Sequence, residues 1–283
     1  MKKTLQLAIF AVTLSLTAFS QTEPDTSWKK GGFIGINFTQ VNLSKWAQGG
    51  ENALSLASNV NLFANYIKGK ADWSNSLDLA YAFVKSGTQS LRKSDDKIEL
   101  TSKYGRKISD HWLYSALFNF KSQFASGYAY PEDSVVSKFL SPAYFTLGLG
   151  FTYKPVDYFE VFLSPATGKI TMVSESKLSK LGAYGVDPGK TTRNEFGAYI
   201  NAKFKKEIMT NITLSSKLEL FNNYTDKDKD NAKAIDVNWD SSLNMKVNKY
   251  ITASLNTLVI YDANIVATTQ FKEIFGVGFG YKF

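Results

Sequence analysis

The sequence predicts an all-β protein, a transmembrane antiparallel up-and-down β-barrel of about twelve strands in a bacterial outer membrane. Three observations predict this fold: an export signal, long segments in which apolar and polar residues alternate, and connections that alternate between short and long. Alternation is the period of a strand that has one face in an apolar medium. A closed barrel also pairs the backbone groups of every strand, which lipid requires.

The N-terminus has the pattern of a secretory signal. Lys2 and Lys3 precede an uncharged 15-residue run, Leu5 to Phe19, which is shorter than the roughly 20 apolar residues of a membrane-spanning helix. Ala18 and Ser20 are small residues at the positions that signal peptidase reads. We therefore expect a cleaved signal peptide at residues 1–20, a short periplasmic segment at residues 21–32, and the barrel at residues 33–283.

The last segment of the chain shows the alternation most clearly. Phe275, Val277 and Phe279 share one predicted face, whereas Gly276 and Gly278 share the other. Counting such runs gives about twelve strands. They are expected at residues 33–41, 53–67, 72–84, 96–105, 112–124, 144–153, 158–164, 194–204, 211–223, 235–247, 251–261 and 269–283.

The connections between these strands favour a membrane barrel, which has short turns at one end and long loops at the other. Short connections are expected at residues 68–70, 106–111, 154–157, 205–210 and 248–250, and long ones at residues 42–52, 85–95, 125–143, 165–193, 224–234 and 262–268. An even number of strands places both termini at the short-turn end, which we expect to be periplasmic. Aromatic residues near that end are expected at the membrane interface, namely Tyr66, Trp73, Tyr104, Trp112, Tyr153, Tyr158, Tyr250 and Tyr281.

A secreted β-sandwich is the alternative fold, because its buried faces would also alternate. The long strands and the alternating loop lengths count against it. The terminal Phe283 also resembles the aromatic C-terminal signature that the outer-membrane insertion machinery recognises. The insertion machinery is therefore an expected partner, together with outer-membrane lipid and lipopolysaccharide.

Composition excludes several kinds of chemistry. A chain with no Cys and a single His cannot carry a thiolate metal site, a Cys nucleophile or a multi-histidine site. That histidine, His111, falls in a short turn and is expected to be a turn or interface residue rather than a general base. We therefore expect no enzyme, no catalytic residue, no cofactor and no metal, with calcium at Asp226 to Asp230 as a weak alternative to a solvated loop.

The formal net charge of +8 suggests anionic partners. For an exported barrel these are lipopolysaccharide phosphates rather than nucleic acid. Lys85, Arg92 and Lys93, expected in a long loop, could make that contact, although ordinary solvation is the favoured explanation of these charges.

The inward face of the barrel is the candidate functional site. It is expected to carry charges of both signs, so a water-filled passage and a plugged, salt-bridged lumen both remain open. A passage predicts a narrow passive channel for small polar solutes, in which Lys217→Glu would be tolerated. A plug predicts a non-conducting barrel that is a scaffold or partner subunit of an envelope machine, with loops 125–143 and 165–193 as its binding surface. The lumen-facing candidates are Asp78, Glu99, Lys103, Lys121, Lys203, Lys217, Glu219, Asp240 and Lys246, with Lys97, Glu160 and Asp236 on the same face.

Several motifs resemble a family of Bacteroidota outer-membrane proteins that is catalogued as a domain of unknown function. They are Trp46-Ala47-Gln48-Gly49-Gly50, Asp95 to Leu100, Gln123 to Tyr128, Ser141-Pro142-Ala143-Tyr144 and Leu163 to Gly168. The resemblance runs from about Trp28 to Phe283. It implies the location and the fold, but it brings no assigned activity and no functional residues.

Overall fold

The computed structural model describes residues 27–43, 51–131, 134–226, 228 and 233–283. The expected signal peptide, the Trp46 to Gly50 motif and most of the Asp226 to Asp230 run lie outside the described residues. Within the described part of the chain, no helix is long and apolar enough to cross a membrane.

Twelve antiparallel strands form a closed barrel, in the order β1-β14-β13-β12-β11-β10-β9-β8-β5-β4-β3-β2. The short strands β6 and β7 form a separate hairpin in one loop. The strands are β1 Trp28–Val41, β2 Ala53–Lys68, β3 Ala71–Ser86, β4 Arg92–Lys107, β5 Trp112–Ser122, β6 Gly127–Ala129, β7 Ser134–Ser137, β8 Ala143–Val156, β9 Phe159–Met172, β10 Thr192–Met209, β11 Ile212–Asn223, β12 Asp236–Lys246, β13 Ile251–Asp262 and β14 Val266–Lys282.

The fold class and the twelve barrel strands predicted from sequence are confirmed, but several boundaries are wrong. Strand β1 begins at Trp28 rather than at residue 33, and the β13–β14 connection is a short turn at residues 263–265. Strand β9 continues to Met172, which shortens the expected loop 165–193 to residues 173–191. Met172 pairs with Ala143 of β8 and with Thr192 of β10. This pairing on both sides satisfies the backbone beyond the Ser164-Pro165 step, where local sequence predicts a break.

The outside of the barrel is apolar. Leu149, Phe275 and Phe279 are 60%, 64% and 69% exposed, and they lie on outward-facing positions of β8 and β14. Such a surface is stable in lipid and would be costly in water. A closed β-barrel with this outer face is the architecture of a bacterial outer-membrane protein.

Aromatic residues cluster at the short-turn end, as the sequence predicts. The Trp28 ring lies 5.1 Å from the Tyr66 ring and 5.8 Å from the Trp73 ring. Gly32 and Phe283 exchange two backbone hydrogen bonds of 2.9 and 3.0 Å, so the described ends of the chain meet at that same end. These aromatic residues mark the membrane interface at the short-turn end of the barrel.

Candidate functional site

A central cluster of six charged residues crosses the barrel interior at mid-height. In this cluster, Lys217 of β11 forms an ion pair with Glu99 of β4, although four other strands separate β4 from β11 along the shorter route. Lys97 of β4 lies 2.8 Å from Asp240 of β12, and five strands separate these two by either route around the wall. Contacts between opposite walls can only pass through the lumen. The central cluster consists of Lys97, Glu99, Lys121, Lys217, Glu219 and Asp240.

Glu99 forms ion pairs with all three lysines of the central cluster. Its carboxylate is 1% exposed, lies 3.2 Å from Lys97 and 3.7 Å from Lys121, and pairs with Lys217 as well. The Asn119 amide also donates a hydrogen bond of 3.0 Å to it. A buried carboxylate requires such partners, because desolvation strongly disfavours an isolated charge.

Glu219 is the second buried carboxylate of the central cluster. It pairs with Lys121 of β5, accepts a 2.7 Å hydrogen bond from the Tyr199 hydroxyl and accepts another of 3.3 Å from the Asn201 amide. The three lysines and three acids of the central cluster give it a formal charge of zero. A single charge-removing substitution therefore leaves a net charge at the middle of the lumen.

Two further clusters lie above and below. In the upper cluster, near the long loops, Lys169 is 2.7 Å from Asp236 and Arg193 is 3.0 Å from Glu195, with Asp262 beside both bases. The lower cluster, near the short turns, has Lys103 2.7 Å from Glu160 and Lys154 3.9 Å from Asp72. Ion pairs thus join non-adjacent strands at three heights, and those of the central cluster join opposite walls.

The remaining candidates from the sequence lie in different surroundings. Asp78 accepts a hydrogen bond from Asn61 of β2, and Lys203 is half-buried and pairs in register with Glu160. Lys246 is exposed at the short-turn end of β12, away from the three clusters. It is therefore not brought to the central cluster.

Sequence reasoning missed most of the upper cluster and the buried hydrogen-bond partners. Glu195, Tyr199 and Asn201 share the sequence parity of Lys203, so alternation along β10 could have identified them. Lys169 was missed because its strand was expected to end at residue 164, whereas β9 extends past it.

The lumen has one filled side and one water-accessible side. Leu117, Phe162, Tyr199 and Phe221 pack into a buried cluster beside β5, β9, β10 and β11. On the opposite side, several inward residues of β2, β3, β12 and β13 are small, polar and half-buried rather than buried. These residues are Asn59, Asn61, Ser76, Ser242, Ser254 and Asn256.

Two sequence expectations concern residues at the barrel ends. His111 lies in the exposed turn between β4 and β5, with its ring 6.4 Å from that of Tyr153. In the described part of the chain, no group of His, Cys, Asp and Glu residues is placed to hold a metal ion.

The expected loop 85–95 is wrong, because β3 reaches Ser86 and β4 starts at Arg92. Arg92 stacks on the Tyr130 ring at 3.9 Å, and Lys93 pairs with Asp96, so these two cations already have partners within the chain.

The described residues of the loops 123–142 and 173–191 pack together at the long-loop end of the barrel. The second contains helix α1, Ser176–Lys180, over a small core of Val173, Leu178 and Val186. The Tyr184 hydroxyl donates a 2.6 Å hydrogen bond to the Val136 carbonyl of the first loop. Lys138 and Glu175 add an ion pair of 2.8 Å between the two loops.

The loop pair should depend on pH. The hydrogen bond and the charge of Lys138 hold the pKa of Glu175 below its usual range, and Glu175 in turn raises the pKa of Lys138. The contribution of Glu175 is therefore present at neutral pH and lost as the pH falls through its lowered pKa, whereas that of Lys138 is lost only as the pH rises through its raised pKa.

We expect Glu175→Gln to speed amide hydrogen exchange in α1 at neutral pH, because the substitution removes the ion pair with Lys138. As the pH falls through the lowered pKa of Glu175, the wild-type carboxyl becomes neutral, so the difference between the two proteins should shrink. Lys180→Gln, an exposed position of the same helix, is the control. An unchanged exchange rate in Glu175→Gln at neutral pH would mean that the pair does not order the loops.

Comparison with known proteins gives a partial family match and several similar barrels. A family model described as "Protein of unknown function (DUF3078)" matches residues 38–128, and no curated protein matches the chain. The match leaves the Bacteroidota origin as a prediction.

Among solved structures, the chain is similar to the COG4313 outer membrane channel from Pseudomonas putida F1, with 13% identity, 93% of this chain and 99% of that chain covered, and a TM-score of 0.41. It is also similar to the NanC porin, with 10% identity, coverages of 88% and 98%, and a TM-score of 0.40. The translocator domain of the autotransporter NalP from Neisseria meningitidis has 11% identity, coverages of 90% and 87%, and a TM-score of 0.38. The fold assignment rests on the strand pairing of the chain itself.

Proposed function

We propose that this outer-membrane barrel is a narrow passive channel for small polar solutes, with its passage displaced toward the wall formed by β1 to β3 and β12 to β14. The observation that carries the proposal is the contrast between the two sides of the lumen. Leu117, Phe162 and Tyr199 on one side of the lumen are buried. Asn59, Ser242 and Asn256 on the other side are only half-buried and remain accessible to water. Small amide and hydroxyl side chains there can replace part of the hydration of a passing solute.

The central cluster fits this proposal as a constriction rather than as a complete plug. It ties β4 to β11 and β12, and its charges sum to zero, so it sets no strong preference for cations or anions. A barrel of twelve strands lies between filled eight-stranded barrels and open sixteen-stranded porins in diameter. A narrow, weakly selective conductance is the expected behaviour.

Single-channel recording in planar bilayers tests the proposal. Purified barrel should give small, weakly selective current steps. The steps should persist at both voltage polarities, because the proposed passage is fixed by the barrel wall. Silent bilayers that nevertheless contain inserted barrel would overturn the channel proposal and favour the non-conducting alternative.

Asn256→Trp should reduce the single-channel conductance by more than half. Asn256 is half-buried and pairs in register with Ser242 on the water-accessible side, so a large ring at this position would fill the passage. The adjacent Thr257→Trp is the matched control, because alternation directs residue 257 toward lipid. Equal conductance in the two variants would show that the passage lies elsewhere.

A second candidate, a non-conducting partner subunit, is favoured by the packed loops. Apolar side chains are exposed on them, including Tyr128, Phe139 and Leu181, the last of which is 78% exposed. Such a surface at the long-loop end is suited to contact with an envelope protein. Leu181→Asp would weaken a complex of this kind and leave the conductance unchanged, so co-purification and recording together separate the two functions.

A further inference from the structure

The seam between the first and last strands, which closes the barrel, is the shortest of its strand pairings. Strands β1 and β14 pair through Phe33–Asn37 and Gly278–Lys282, five residues on each strand, and then through the Gly32 and Phe283 backbone bonds. Each of the other neighbouring strand pairs in the barrel has at least ten residues in register. Yet β1 continues to Val41, and β14 begins as far back as Val266. The facing edges above Asn37 and Gly278 are therefore unpaired with each other.

This gap lies at membrane depth. A strand rises about 3.3 Å per residue, and the tilt of a membrane barrel reduces the gain in height to about 2.5 Å, so ten residues span an apolar band of about 25 Å. On β14 that band runs from the interfacial Tyr281 to Phe271, both exposed on the outer face. Pairing stops at Gly278, so the gap begins within the inner half of the band and continues through the outer half.

Unpaired backbone groups at this depth need a polar environment. Each N–H or C=O group left without a partner in hydrocarbon costs roughly several kcal/mol. For this reason, irregular backbone at membrane depth is found where it is buried in protein or lines a water-filled cavity. Glu273 points outward beside the gap, opposite Thr257, and it is exposed. A carboxylate on the lipid side also requires hydration. Both features indicate water in the gap, continuous with the lumen.

The lumen wall beside the gap is amphipathic. Leu258 pairs in register with Asp240 and with Lys272, whose side chains enter ion pairs across the lumen, so Leu258 also faces inward. By the same register Ile260 and Ile274 share this face. Lys272 is 2.7 Å from Asp95, and its side chain is still 43% exposed. An apolar strip with an accessible cation therefore lies directly inside the opening.

We propose that the gap between β1 and β14 is a lateral portal, through which a single-chain amphiphile with a carboxylate head group passes between the outer leaflet and the upper lumen. The acyl chain lies against Leu258, Ile260 and Ile274, and the head group contacts Lys272. The negative charge of Glu273 at the outer edge and the positive charge of Lys272 within direct the head group inward. This function is additional to axial passage of polar solutes.

The test uses thiols that close the portal, since the chain contains no Cys. Continuing the register upward places Gln40 opposite Phe275, so Gln40→Cys with Phe275→Cys can be linked across the gap by a short bifunctional thiol reagent. Ile36→Cys with Phe279→Cys, a pair already in register, is the matched control in the closed part of the same seam. The probe is dodecanoate with a diazirine at the chain end, added to liposomes that contain the barrel.

Light-induced labelling mapped by mass spectrometry should mark Leu258, Ile260 and Ile274 in the wild-type protein and in the linked control. The link between residues 40 and 275 should abolish these labels, retain labels on the lipid-facing Phe271, and leave the single-channel current unchanged. Lys272→Ala should weaken labelling of the inner strip about tenfold, the loss expected for one charge-assisted contact, and Lys246→Ala should not.

Three results would overturn the portal. Inner labels that persist after the link would mean that dodecanoate enters along the barrel axis, and labels on outward residues alone would mean that it stays in the bilayer. Cross-linked dimers between Gln40→Cys and Phe275→Cys chains would show that a second copy covers the edge. Because the portal and the axial current are measured separately, failure of one leaves the other testable.

Discussion

Replacing Glu99 with glutamine should destabilise the barrel by about 3 kcal/mol, the cost of removing one partner from a buried ion pair. Glutamine keeps the shape of the side chain but leaves Lys97, Lys121 and Lys217 without their shared carboxylate. Reversible urea unfolding in lipid vesicles measures the change. Lys246→Gln removes a charge from an exposed position and should change stability little, so it is the control.

The same substitution should shift the ion preference toward anions, because the central cluster then carries one net positive charge. Lys217→Gln makes the opposite change at the partner of Glu99 and should shift the preference toward cations. Reversal potentials in a salt gradient compare the two variants with the wild type. Conducting variants with identical reversal potentials would mean that ions do not pass the central cluster.

The ion pair also changes an expectation made from sequence. From the alternation alone, Lys217 is one of many charges in the lumen, and the sequence therefore predicts that the barrel tolerates Lys217→Glu. In the structure the new carboxylate would face Glu99 and lie two residues from the buried Glu219. Like charges at this distance disfavour one another, so we now expect Lys217→Glu to destabilise the barrel more than Lys217→Gln does.

Leu218→Arg should destabilise the barrel by about 3 kcal/mol, because it places a charge on the lipid face near mid-height. Leu218 pairs in register with Trp239, which is exposed on the outer surface. Ser242→Arg adds the same side chain on an inward, water-accessible position of β12 and is the matched control. Unfolding in vesicles and heat-modifiable mobility on gels report stability and assembly.

Comparable loss in both arginine variants would contradict the assignment of the faces. Equal tolerance of both would contradict a lipid environment around β11. Only a loss confined to Leu218→Arg agrees with alternation between lipid and lumen along these strands.

The sequence by itself determined the strands and which face of each strand is apolar. The reason is local: successive side chains of a strand point to opposite faces, so the order of Phe275, Gly276, Val277 and Gly278 is enough to separate the two faces. The alternation of short and long connections then determined the up-and-down topology. These features need no knowledge of which distant residues meet.

The extent of β9 and the arrangement of the long loops were not determined locally. Ser164-Pro165 is a break signal in sequence, but β8 and β10 supply pairing on both sides of the continuing strand. The loops at residues 123–142 and 173–191 order each other through Tyr184 and the Lys138–Glu175 pair. Their positions depend on contacts between segments, which alternation does not encode.

Only the tertiary structure decided how the lumen charges combine and how far the first and last strands pair. Glu99 and Lys217 are 118 residues apart, and their contact depends on the curvature and closure of the whole sheet. The gap between β1 and β14 likewise follows from the register in which the ends of the chain meet, after all the other strand pairs have set the circumference. Local periodicity fixes the direction of each side chain, whereas closure fixes its partner.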